Sequence, residues 1–112
     1  MQISEDRQKC FIALVTFERS GGRTEIIAPE AEGASGWIGV MTDDGREVER
    51  LLRQSLSEIG LRLLEVSEVL EIWDSDEVVE IDKHLAANIQ KWETGHKWKT
   101  GQETIWGTIH PH

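Results

Sequence analysis

The densest run of chemically capable side chains lies between Glu65 and Asp82, where Glu65, Glu68, Glu71, Asp74, Asp76, Glu77, Glu80 and Asp82 occur with no basic residue until Lys83. Carboxylates at this density can bind a cation or work as acid and base. The best metal-ligating subset is Glu77, Glu80 and His84, which on one continuous helix fall at i, i+3 and i+7 and mix carboxylate with imidazole as divalent sites do. The spacing of Asp74, Asp76 and Glu77 lacks the glycine and the distant bidentate glutamate of a calcium-binding loop. Acids also gather at helix starts simply because they complement the positive end of the helix dipole. That reading accounts for Asp74 to Glu77 with no metal, and no metal or other cofactor is called for.

The other reactive groups form no constellation. The four histidines, His84, His96, His110 and His112, are not in a zinc-binding spacing. No glycine pair is followed by Gly-Lys-Ser/Thr, so there is no phosphate loop. Gly33-Ala34-Ser35-Gly36 lacks the strand-to-helix elbow that exposes a nucleophilic serine. Cys10 is the only cysteine and stands at the start of an apolar run, which reads as a core thiol. Catalysis is therefore the minority reading.

Aromatic composition is more distinctive. There are five tryptophans and no tyrosine, and Trp92, Trp98 and Trp106 fall near the C-terminus. His96, Lys97, Trp98 and Lys99 together with Trp106 make a candidate binding face, since tryptophan with cationic neighbours can stack on a base or sugar ring or anchor a protein partner. The competing reading sends Trp92, Trp98 and Trp106 into the core.

Charge narrows the partners. The chain of 112 residues has a formal net charge of −9, with residues 1–90 at −10 and residues 91–112 at +1. A duplex nucleic acid needs a concentrated positive surface, so it is excluded as the main partner. The apolar run from Phe11 to Phe17 is too short for a membrane span or a signal peptide and reads as a strand, so no membrane is involved and a cytoplasmic location is the default expectation.

The elements that must position these groups follow from periodicity. Lys9 to Glu18 is apolar on both alternating faces, which describes a strand covered on both sides. Ser20-Gly21-Gly22-Arg23 is a tight turn and Thr24 to Ala28 a second strand, followed by a loop from Pro29 to Gly36. Trp37 to Thr42 is a third strand. Asp44 and Glu47 have the spacing of a capping box, Val48, Leu51, Leu52, Leu56 and Ile59 form one helical stripe, and Gly60 ends that helix. Leu61 to Trp73 is a long strand whose apolar phase changes near Ser67-Glu68, which a bulge would reconcile. Asp74 to Glu77 caps a second helix with the stripe Val78, Ile81, Leu85, Ile89 and Trp92. A last strand falls at Thr104 to Ile109.

This order, β-β-β-α-β-α with a final β, predicts a single α+β domain: a mostly antiparallel sheet with both helices packed on one face. Such a sheet leaves its second face bare, so the two-sided first strand predicts a homodimer or higher oligomer. The function that fits is a non-catalytic interaction module with a protein or small-molecule partner. A small enzyme or ligand-binding protein with a pocket at the dimer interface, and a single-strand nucleic-acid binder using the Trp/Lys segment, are the alternatives.

The aromatic readings separate by stability. If Trp92 closes a helix stripe and Trp98 serves a partner, Trp92→Ala costs ~3–5 kcal/mol and Trp98→Ala almost nothing. Denaturant melts of the two variants check this, and equal large losses remove the sequence argument for a C-terminal binding face.

Overall fold

The computed structural model describes residues 9–20, 31–93 and 104–111. The sheet is built around β1 (Lys9–Arg19), whose apolar and β-branched residues suit a pleated, fully covered strand. On one side β1 pairs antiparallel with β2 (Gly33–Thr42), and on the other with β3 (Leu61–Ile72). Outside β2 lies β4 (Thr104–Pro111), also antiparallel, so the sheet runs β3-β1-β2-β4. Two helices, α1 (Val48–Glu58) and α2 (Lys83–Glu93), complete an α+β fold with an antiparallel sheet and two helices, as its sequence predicts.

The helices do not share a face. Phe11, Ala13, Val15 and Phe17 join Ala34, Ile38 and Val40 under the α1 residues Val48, Leu51, Leu52 and Leu56. Cys10, Ile12, Met41, Ile72 and Ile105 instead meet Leu85, Ala86 and Ile89 of α2. Each large side chain buried this way stabilises the fold by roughly 1.5–3 kcal/mol relative to exposure. The expectation of both helices on one face is thus corrected. The physical reason is β1 itself, whose residues Ile12 and Val15 point to opposite faces, are both fully buried and need cover on both sides. Both covers come from one chain, so the two-sided strand no longer calls for a second copy.

Other local expectations change in informative ways. Residues 33–36 belong to β2, so the loop predicted from Pro29 to Gly36 ends earlier. Gly33 and Gly36 are tolerated in the strand because backbone approaches there: a Cβ would fall 2.6 Å from the Phe17 carbonyl oxygen and 2.5 Å from that of Thr108. The strand predicted at Thr24 to Ala28 lies outside the described residues. At Asp44 the carboxylate accepts the Arg46 N–H at 2.9 Å, while Glu47 pairs with Arg50, so the capping box predicted there does not close. The Asp44 carboxyl is held below its usual value by the side-chain hydrogen bond from Arg46 and by the Arg46 backbone N–H.

The reciprocal box forms at Asp74 and Glu77, around a 3-10 turn at Ser75–Val78. The predicted second helix is thereby divided. Its first turn is 3-10, the chain turns at 79–81, and α2 starts afresh at Lys83. Val78 stays buried but Ile81 drops out of the stripe and is exposed.

Gly60 ends α1 with φ 80°, a left-handed conformation that glycine adopts without strain. The phase change expected in β3 appears as two register shifts against β1, leaving Leu64 and Ser67 as the extra residues. Between the shifts Val66 stands opposite Val15, where it packs on the α1 core, and Glu65 stands opposite Thr16 on the other face. The bulges therefore keep a carboxylate out of that core.

The edge strand β4 is held to α2 by buried polar contacts. Asp82, at the N-terminus of α2, is only 8% exposed. Its carboxylate accepts the Leu85 N–H at 3.0 Å, the Thr108 N–H at 2.7 Å and the Thr108 hydroxyl at 3.1 Å. Burial raises its pKa, but these bonds together with the His84 N–H outweigh burial and leave it below the usual 3.8. Further along α2, the Asn88 amide donates to the Trp106 carbonyl at 2.9 Å. Gly107 makes the approach possible, since a Cβ there would sit 2.6 Å from Asp82 Oδ2 and 2.8 Å from Leu85 Cβ.

Two variants test this clamp. Asp82→Asn turns a donor toward the Thr108 N–H or the Leu85 N–H and is expected to cost about 1–3 kcal/mol at neutral pH. Because the folded carboxyl has the lowered pKa, its contribution is complete above the unfolded value and is lost as pH falls through the folded one. The gap between parent and Asp82→Asn in denaturant melts should therefore narrow in acid. Gly107→Ala should destabilise by at least about 1–3 kcal/mol through overpacking. An unchanged melt for either variant contradicts the clamp.

Candidate interaction surface

Among the described residues β3 is the sheet's long open edge: 12 residues, paired on one side only, with β1. Edge strands expose a row of unpaired N–H and C=O groups. On β3 and the segment after it lie the exposed large apolar residues among those described, namely Leu64, Val69, Trp73, Val79 and Ile81. Trp73 is 79% exposed and Leu64 53%. All five fall between positions 64 and 81, while Val48, Leu51, Leu52 and Leu56 of α1 and Leu85 and Ile89 of α2 are buried.

Local structure explains each exposure. Leu64 is the extra residue of one bulge, so it has no position in the ladder from which to face either core. Val69 stands opposite Ala13, beyond the part of β3 that packs under α1. Trp73 leads into the Asp74–Glu77 box, and its own N–H donates to Glu77 Oε2 at 2.6 Å. Val79 and Ile81 occupy the turn that separates the 3-10 segment from α2.

Carboxylates alternate with these apolar groups. Glu68 stands opposite Leu14 and Glu65 opposite Thr16, both on the α2 side of the sheet, and Glu71 stands opposite Phe11 on the α1 side. Lys9 lies 3.9 Å from Glu71. Glu65 and Glu68 are exposed and make no ion pair among the described residues. At the far end of the strand Arg62 pairs with Glu18. Beside Leu64 is an open depression of about 220 Å³, lined by Thr16, Phe17, Glu18, Glu32 and Gly33 with Leu64 itself. Its lining holds two carboxylates and one hydroxyl.

The residues singled out in the sequence are dispersed. Glu77 is engaged in its capping box, accepting the Asp74 N–H at 3.0 Å. Glu80 lies in the following turn and His84 in the first turn of α2. The single helical face that would have joined them is broken at 79–82. No group of three potential metal-ligating side chains forms among the described residues. Trp106 is half-buried on the α1 side, edge-on to Phe17 at 5.8 Å and 87°. His96, Lys97, Trp98 and Lys99 lie outside the described residues, and Trp92 is in α2 with its side chain also outside them.

Sequence periodicity missed the β3 surface because it assigned Ile81 to a helix stripe and placed Leu64 within one long strand. The one signal that pointed there was the phase conflict at Ser67-Glu68, which requires that some apolar residue in the strand lose its place. Among the described residues no helix is long and apolar enough to cross a membrane. The chain matches no protein-family model, no curated protein and no solved structure.

Proposed function

We propose that this chain is a non-catalytic interaction module that docks a partner protein along the open edge of β3 and the turn behind it. The observation that carries this reading is that, among the described residues, the exposed large apolar side chains are confined to positions 64–81, on and next to the longest unpaired strand edge. Scattered exposed apolar residues need no explanation, but a run confined to one edge marks a contact surface. The acidic flank foreseen from composition is part of the same surface, because Glu65 and Glu68 stand among these apolar groups. A cytoplasmic setting belongs to this proposal.

The reading has a consequence for stability. Side chains kept for a partner contribute little to the isolated fold, so Leu64→Thr, Val69→Thr and Trp73→Ser should each shift the unfolding free energy by no more than about 0.5 kcal/mol. Denaturant melts of the single and triple variants measure this. A loss above about 2 kcal/mol at any one position makes that residue part of the fold's own core and defeats the proposal.

A further inference from the structure

We propose that the occupant of the β3 edge is an extended segment of a partner protein, basic and apolar at alternate positions, that adds to the sheet as a further strand. This inference rests on the reading of β3 as an interaction surface and specifies what binds there.

Strand addition draws affinity from the main chain and specificity from alternate side chains. An added strand would have its two rows of side chains set by the faces of β3. On the α2 side it meets Glu65 and Glu68. Although three apart in sequence, these are consecutive on that face, because the extra residue Ser67 lies between them and their partners Thr16 and Leu14 are two apart on β1. On the α1 side the added strand meets Val66 and Val69, half-buried and exposed respectively. Lysine or arginine at every second position would thus lie beside the two carboxylates, and valine or isoleucine between them would extend the α1-side core. Cross-strand pairs of these kinds are favourable, whereas like charges placed opposite one another are not.

The same charges argue against a second copy of this chain. Its β3 would bring Glu65, Glu68 and Glu71 to a seam that already holds them, and each copy has a net charge of −9. Acids on an edge discourage self-pairing. A basic segment avoids that repulsion and is drawn toward the edge by the overall field.

The probe is a short synthetic peptide alternating lysine and valine, titrated into the full chain and followed by amide chemical shifts and amide hydrogen exchange. Slowed exchange and shift changes along Glu65 to Val69 are expected, weakening as salt is raised. Glu65→Lys combined with Glu68→Lys should weaken binding about tenfold or more. Methylating alternate backbone nitrogens of the peptide should abolish it, because the ladder loses its donors. Equal binding by a glutamate–valine peptide, or undiminished binding by the methylated one, overturns the inference. So does exchange protection on β3 that rises with protein concentration alone, which assigns the edge to a second copy. A lysine–valine peptide that leaves β3 untouched overturns the occupant only, since the surface reading stands or falls on the melts of the Leu64, Val69 and Trp73 variants.

Discussion

The double-sided burial of β1 is the constraint on which the rest of the molecule depends. Ile12, Ala13, Val15 and Phe17 are all fully buried although successive side chains of a strand point to opposite faces. The sheet must be covered twice. The connections supply this in chain order. β2 and β3 both flank β1 antiparallel and so run parallel to each other, and α1, which joins them, covers the sheet on one face. The next connection crosses from the β3 edge to the β4 edge, and α2 covers the other face on the way.

Covering both faces leaves the two edges as the places where sheet energetics are unresolved, and the chain treats them differently. β4 is secured by polar groups: Asp82 and Asn88 of α2 reach its backbone, and Gly107 keeps the approach clear. The cap of α2 and the anchor of β4 are thus a single carboxylate, which couples the start of a helix to the position of an edge strand. Exposed ion pairs such as Arg53 with Glu49 on α1 contribute little by comparison, since solvent screens them and ordering two long side chains costs entropy.

Among the described residues β3 has no such anchor on its outer side. Its bulges exchange the faces of Glu65 and Val66, which protects the α1 core from a buried charge, and the same irregularity leaves Leu64 without a place in either core. The surface proposed for a partner is in this sense a by-product of fitting a strand with mixed polarity onto a sheet that is apolar on both sides. Carboxylates that keep the edge from pairing with copies of itself also define the charge of whatever pairs with it.

Much of this is legible in the residues alone. The alternation in β1, the stripe of α1, the stop at Gly60 and the phase break in β3 are local patterns of period 2 or 3.6, and each was readable because burial of its own side chains depends on near neighbours in sequence. The acidic balance and the lack of a catalytic or phosphate-binding motif are likewise properties of the string. Which face each helix covers is not, because Ile12 and Val15 are equally apolar and only the path of the connections decides which helix reaches which. The division of the second helix depends on a competition between two caps, Asp74 and Asp82, and Asp82 prevails at α2 because Thr108, 26 residues away, completes its hydrogen bonds. The exposure of Leu64 and Trp73 is a tertiary outcome for the same reason: an apolar residue is buried only where the fold brings another surface against it, and no spacing along the chain encodes that meeting.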